Sequence, residues 1–267
     1  MLLAIDVGNT NTVFALYRER ECVGQWRLAT NRERTSDEYA AALIQLMELK
    51  GLHHDRVDAV LITSVVPQAI QPLRWMVRDF FACRAFVVGD DLEHPIPVKL
   101  DNPKELGADR IVNVVGALTL YRPPLVIVDF GTATTFDVVD EEGAHCGGVI
   151  ATGINLSLEA LSRAAAQLPR IAVAAPARMI GRSTVEAMQS GIYWGYVSLV
   201  EGVFRRIEEE YGRPMTCIAT GGLAPLFAKG CAVLEHVHPE LTMLGLLEIY
   251  ERNRDLVRCD RERVAAG

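Results

Sequence analysis

Two stretches of the chain carry residue types suited to one chemistry. Residues 6–12 read Asp-Val-Gly-Asn-Thr-Asn-Thr and residues 129–135 read Asp-Phe-Gly-Thr-Ala-Thr-Thr, each after a short apolar run, Leu2–Ile5 and Leu125–Val128. At a constant offset the two share Asp6/Asp129, Gly8/Gly131 and Thr12/Thr135. A carboxylate can hold or orient Mg²⁺ and its waters. A glycine-bearing turn brings backbone N–H groups up to phosphate oxygens with no Cβ in the way. Two such turns suit the gripping of a nucleotide triphosphate from both sides.

The elements that must position them follow from the pattern. Three strands are expected at about 2–7, 12–18 and 22–30. Thr35-Ser36-Asp37-Glu38 reads as a capping box opening a helix to about Lys50, ended by Gly51. A strand over 58–63, a helix over 67–81 with proline in its first turn and a strand over 85–88 come next. A proline-punctuated loop from His94 to Pro103 leads into a helix from about Lys104 to Tyr121, and Pro123-Pro124 marks a boundary. The pattern then restarts with strands at 125–129, 134–140 and 145–151, the turn Glu141-Glu142-Gly143, and helices at 154–167 and 183–211. A strand at 215–219, Gly221-Gly222, a short helix, a strand near 233–237, a helix over 240–252 and a frayed charged tail complete it. Strands then αβ units, twice over, predict an α/β fold of two duplicated actin-like (ribonuclease H-like) domains. Each is a mixed sheet flanked by helices, with an ATP cleft between them. The lobes are expected at 1–122 and 123–239, with the helix at 240–252 packing back on the first. No G-x-G-x-x-G follows the first strand, and no G-x-x-x-x-G-K-[ST] occurs.

Further strings narrow the family: Gly107-Ala108-Asp109-Arg110-Ile111-Val112-Asn113, Gly181-Arg182-Ser183-Thr184 through Gly195, and Thr220-Gly221-Gly222. With both turns, in this order and spacing from about residue 2 to 250, the chain resembles the type III pantothenate kinases of the actin and hexokinase superfamily. The resemblance implies transfer of the ATP γ-phosphoryl to the 4′-hydroxyl of pantothenate, the first step of coenzyme A synthesis. It also implies Mg²⁺, a monovalent cation (K⁺ or NH₄⁺), and a homodimer with substrate sites near the subunit interface.

Asp109 then maps onto the general base that takes the hydroxyl proton. On residues alone it reads first as a helix-surface acid paired with Arg110 or Lys104. Asp6 is expected to orient Mg²⁺, with Val7, Gly8, Asn9, Thr10, Asn11 and Thr12 around the phosphates. Asp129 matches the monovalent-cation ligand, Thr132 an ATP contact, and Gly221-Gly222 the backbone near adenosine. An Asx-type turn, a plain hairpin and a plain loop are the structural alternatives. Gly107, Ala108 and Arg110 accompany Asp109 at the substrate, and Arg110 offers paired hydrogen bonds to the pantothenate carboxylate. Thr184 matches a substrate contact, although Ser183 or Thr184 with Glu186 also reads as a helix cap. Leu100 stands where the family pocket has an aromatic residue, which keeps the wall apolar without a ring.

The chain has 267 residues, half of them hydrophobic and 23% charged, with net charge −7 and a pI near 5.4. This acidic balance speaks against nucleic acid as the main ligand. No apolar run reaches the roughly 20 residues needed to cross a bilayer, and no leader is expected. Cys22, Cys83, Cys146, Cys217, Cys231 and Cys259 form no C-x-x-C pair, so reduced thiols in a cytoplasm are expected. His236 and His238 share a strand face as metal ligands might, but with no acidic or cysteine partner. His145-Cys146 reads as packing or surface, and Trp26, Trp75 and Trp194 as core or interface fillers. Two alternatives remain open: a regulatory member of the same family, of the kind once described as accessory factors for toxin expression, and a kinase of another small hydroxy compound.

Overall fold

A computed structural model describes residues 1–92, 95–164 and 168–257. Residues 165–167, His94, Cys259 and the tail beyond Val257 therefore lie outside the described residues. Met1–Ile96, Asn102–Thr119 and the stretch from Thr242 form one compact unit, and Pro97–Asp101 with Leu120–Leu241 form a second.

The first unit holds β1 (Leu2–Val7), β2 (Asn11–Arg18), β3 (Glu21–Ala29), α1 (Ser36–Glu48), β4 (Ala59–Ser64), α2 (Pro67–Phe81), β5 (Ala85–Val87) and most of α3 (Ala108–Leu120). Its sheet runs β3-β2-β1-β4-β5, antiparallel over the opening meander and parallel from β1 to β5. The second unit repeats the plan with β6 (Leu125–Phe130), β7 (Ala133–Val139), β8 (His145–Thr152), α4 (Ile154–Ala164), α5 (Thr184–Tyr211), β9 (Thr216–Thr220), α6 (Ala224–Phe227) and β10 (His236–Val237). Its sheet runs β10-β9-β6-β7-β8. Then α7 (Leu241–Arg252) and α8 (Arg254–Val257) follow.

The central strands explain themselves. β1 and β6 are buried at every position except the fifth, Asp6 and Asp129, which are half-buried. A strand covered on both faces must be apolar throughout. The one polar residue in each stands near the strand's C-terminal end, where chain meets solvent. In the first unit α1 and α2 pack Tyr39, Leu43, Met47, Leu73, Met76 and Phe81 against Ile5, Val7, Phe14 and Ile62. In the second, α5 lays Tyr196, Val197, Val200 and Phe204 against Val126, Val128 and Phe136.

Capping follows the sequence. Thr35 and Glu38 form the reciprocal capping box of α1. Ser183 caps α5 through the Glu186 N–H at 3.2 Å, and Gly212 closes it at φ 81°. Across the first unit, Thr242 Oγ1 donates to Asn113 Oδ1 at 2.7 Å, seating α7 on α3. A Cβ at Gly245 would come within 2.0 Å of the Val112 carbonyl, so only glycine permits that approach.

Several expectations need correction. α3 begins at Ala108 rather than Lys104, because Pro103–Glu105 forms a separate 3₁₀ turn capped by Asn102. The expected strand near 233–237 shrinks to His236–Val237, and Arg254–Val257 is helical rather than frayed. Trp75, expected to fill a core or an interface, is 45% exposed and so lies outside the core of the chain. Cys22, Cys146, Cys217 and Cys231 are free, but Cys83 is disulfide-bonded, against the expectation of a fully reduced set. Among the described residues, no helix is long and apolar enough to cross a membrane.

Candidate active site

The β1–β2 hairpin carries the first turn. Its last strand pair is Val7 with Thr12, leaving Gly8–Asn11 as the loop, and the Gly8 N–H donates to the Asn11 carbonyl at 3.0 Å. The β6–β7 hairpin ends on Phe130 with Thr134, leaving Gly131–Ala133, and the Gly131 N–H donates to the Ala133 carbonyl at 3.0 Å. The second loop is one residue shorter. The structural counterpart of Thr12 is therefore Thr134, not the Thr135 that a constant sequence offset gives. Burial agrees: Thr12 and Thr134 are buried, whereas Thr135 is only half-buried.

Each acidic residue has the same neighbour across its parallel pair. Asp6 stands in register with Thr63 of β4, and Asp129 with Thr220 of β9. Both threonines are buried, and both hydroxyls lack a hydrogen-bond partner. A buried hydroxyl left unsatisfied costs about 1–3 kcal/mol, and the two units repeat that cost at the same place beside the acidic residue. Nothing local singles out Thr63, which lies 57 residues from Asp6 in the chain and is joined to it only by sheet register.

Two glycines make room for carboxylates. Gly221 has φ 89°, and a Cβ there would lie 2.5 Å from Asp129 Oδ1. Gly107 precedes α3, and its Cβ would lie 2.7 Å from Asp109 Oδ1. Asp109 is half-buried in the first turn of α3, where its Oδ1 accepts the Arg110 N–H at 2.8 Å. Carboxylates are favoured there, beside the unpaired N–H groups of a helix start.

The other residues fall as follows. Asn9, Thr10 and Asn11 are exposed on the first turn, and Thr132 on the second. A Cβ at Gly153 would come within 2.0 Å of the Thr132 carbonyl, so β8 runs tight against that turn. Gly222 is exposed and open, and Thr184 is the exposed first residue of α5. Gly181 earns its place in the motif because a Cβ there would lie 2.4 Å from the Ala187 backbone nitrogen. Leu100 is half-buried on a segment pinned to β8: the His145 N–H donates to Pro97 at 3.0 Å, and the Lys99 N–H to His145 at 2.8 Å. Lys99 Nζ meets Asp140 Oδ2 at 2.7 Å. Burial alone would raise the Asp140 carboxyl, but Lys99 and the N–H groups of Ala144 and Glu142 outweigh it and hold Asp140 below the usual range. Leu100 lies in the second unit, whereas Asp6–Thr12 and Gly107–Arg110 lie in the first.

The donor set fits Mg²⁺ and a monovalent cation. Each candidate centre offers one half-buried carboxylate and a buried hydroxyl, hard oxygen ligands that leave positions for phosphate oxygens and water. Among the described residues, no cluster of three His, Cys, Asp or Glu side chains forms an all-protein cage. The two histidines of the β10 region are otherwise engaged. Tyr121 stacks on His236 with ring centroids 4.2 Å apart, and its hydroxyl meets His238 Nε2. Burial, then His236, lowers the pKa of His238. His145 is buried, with Nε2 at 2.8 Å from Asp137 Oδ1, a packed pair inside the second unit.

Residues 2–206 match the family model of type III pantothenate kinase. A type III pantothenate kinase of Paramagnetospirillum magneticum is 53% identical over 259 residues, covering 97% of this chain and 100% of its own. The chain belongs to the type III pantothenate kinases. A second member, from Rhodospirillum rubrum, is 54% identical over 255 residues, covering 95% and 99%. Among solved structures, a Campylobacter jejuni chain described as a Baf family transcriptional activator aligns with TM-score 0.60 at 18% identity, covering 95% and 100%. The activator of 2-hydroxyisocaproyl-CoA dehydratase from Clostridium difficile, with bound ADPNP, gives 0.54 at 11%, covering 96% and 97%. Identities this low speak to fold alone, and that fold is the duplicated actin-like α/β plan.

Proposed function

We propose that this chain transfers the γ-phosphoryl group of ATP to the 4′-hydroxyl of pantothenate, giving 4′-phosphopantothenate and ADP in the first step of coenzyme A synthesis. One observation carries the reading: kinship with pantothenate kinases spans 97% of the chain, and Asp6, Asp109 and Asp129 are all in place.

Phosphoryl transfer asks for positioning, charge neutralisation and a proton acceptor. Asp109 takes the proton of the 4′-hydroxyl as its oxygen bonds to the γ-phosphorus and the bond to the β-phosphate oxygen breaks. Gly107 keeps that carboxylate clear, and Arg110 pairs with the pantothenate carboxylate. Ala108, Thr184 and the apolar Leu100 line the substrate. Backbone N–H groups of Gly8–Thr12 meet phosphate oxygens, Thr132 contacts ATP, and Gly221-Gly222 passes beside adenosine. Asp6 with Thr63 suits Mg²⁺, and Asp129 with Thr220 suits K⁺ or NH₄⁺. When bound, these ions neutralise phosphate charge.

The enzyme works in the cytoplasm as a homodimer on small molecules, with neither nucleic acid nor membrane as partner. Support for a partner copy comes from the second unit, which leaves Ile150 66%, Met179 63% and Ile180 80% exposed. The decisive assay follows ADP release with ATP and pantothenate. Asp109→Asn is expected to bind ATP normally and lose about 10²–10⁴ in turnover. Turnover near wild type removes Asp109 from the mechanism.

A further inference from the structure

The first turn is strapped from behind by a residue outside its motif. The Thr30 N–H donates to the Thr10 carbonyl at 2.9 Å, the Thr30 hydroxyl donates to the Gly8 carbonyl at 2.7 Å, and Thr30 Oγ1 lies 3.0 Å from Thr12 Oγ1. A carbonyl only accepts, so the single Thr30 hydroxyl proton is committed to Gly8. Thr12 must then be the donor in the hydroxyl pair. The result is a directional chain, Thr12 to Thr30 to Gly8, in which each bond polarises the next.

A peptide unit is planar and trans, so its carbonyl and the following N–H point opposite ways. Holding the Gly8 and Thr10 carbonyls toward Thr30 therefore aims the N–H groups of Asn9 and Asn11 away from it. The duplicate turn isolates what the hydroxyl adds. β2–β3 pairs Asn11 with Ala29 and β7–β8 pairs Ala133 with Thr152, so the counterpart of Thr30 is Gly153. Gly153 secures the second turn by bare backbone approach to Thr132. At the position equivalent to Thr30 the second turn has a glycine, with no side chain to act as a strap.

We propose that Thr30 is a positioning residue for phosphoryl transfer, pre-aiming the Asn9 and Asn11 N–H groups at ATP phosphate oxygens. This rests on the reading that residues 6–12 hold the triphosphate. The test compares Thr30→Val, which keeps shape and loses the hydroxyl, with Thr30→Ser, which keeps the hydroxyl, in steady-state kinetics and equilibrium ATP binding. Thr30→Val is expected to raise the KM for ATP and its Kd about tenfold, the scale of one or two lost hydrogen bonds. The KM for pantothenate and kcat should stay within about threefold, and Thr30→Ser within about twofold of wild type for ATP. A purely structural role would instead move both substrates together and would not be rescued by serine. Should Thr30→Val fail to fold, Thr30→Ala against Thr30→Ser carries the same comparison. An unchanged KM for ATP in the variant lacking the hydroxyl overturns the proposal, as does a serine variant that fails equally. Asp6→Asn in the same assays separates the two ideas. If Asp6→Asn weakens Mg·ATP and Thr30→Val does not, the strap alone falls. If Asp6→Asn binds Mg·ATP as wild type does, the reading of the turn falls.

Discussion

At position 221 a methyl group has nowhere to go. Gly221 combines φ 89° with a Cβ position 2.5 Å from Asp129 Oδ1 and 2.8 Å from the Phe130 carbonyl, so Gly221→Ala must displace the carboxylate or the strand end. The backbone strain alone costs roughly 1 kcal/mol or more. If Asp129 serves the monovalent cation, this variant needs at least about tenfold more K⁺ for half-maximal rate, a shift worth about 1.4 kcal/mol. A K⁺ titration against Na⁺ at constant ionic strength reads it directly, and an unchanged K⁺ requirement separates Gly221 from the cation. Asp6 and Asp129 stood out in the sequence because each ends an apolar strand just before a glycine-bearing turn, whereas Asp109 took its proposed role only from the family resemblance. Thr30, Thr63 and Gly153 did not stand out, because their importance exists only once strands pair.

Among elements, the β7–β8 hairpin is held by an electrostatic lock at Asp140. Asp140 Oδ1 accepts the N–H groups of Glu142 and Ala144 at 3.0 and 2.9 Å, while Oδ2 meets Lys99. Glu142 is 75% exposed, and its contact with Lys99 adds little. Replacing Asp140 with Asn should cost about 1–2 kcal/mol by losing charge-assisted bonds. The folded carboxyl titrates below its unfolded value near 3.9, so its contribution is complete above that value and vanishes as pH falls through the folded pKa. Urea midpoints of wild type and Asp140→Asn should differ by a constant amount from about pH 8 to 5 and converge below about pH 4. A gap that does not shrink as the pH falls below about 4 contradicts this. Several helix starts were readable from caps, since Thr35 with Glu38, Pro67 and Ser183 all stand where helices begin, whereas α1 ends at Glu48, ahead of the Gly51 expected to close it. The start of α3 was not readable, because Pro103-Lys104-Glu105 carries the same helix-start signals as a true first turn and the Asn102 cap closes it as 3₁₀.

For the whole molecule, duplication organises the chemistry and divergence assigns it. Both units bury a central strand up to one acidic residue and set an unsatisfied threonine beside it. Their turns then differ by one residue, and their straps by a hydroxyl. The duplication was visible in sequence because apolar strand, acid and glycine recur together. The true equivalence of Thr12 with Thr134 was hidden by the loop-length difference. The edge strand β8 leaves Val149 and Ile150 exposed, a template on which another chain can pair. Sedimentation equilibrium is expected to give twice the 29.4 kDa chain mass, with Ile150→Lys shifting the population toward monomer. A wild-type monomer at micromolar concentration contradicts the homodimer.

Phosphorus NMR of the reaction with Mg·ATP and K⁺ tests the central claim most directly. With pantothenate, one phosphomonoester resonance should grow in step with ADP, and with an analogue lacking the 4′-hydroxyl neither should appear. ADP formed equally with the analogue, or no phosphomonoester at all, contradicts the account.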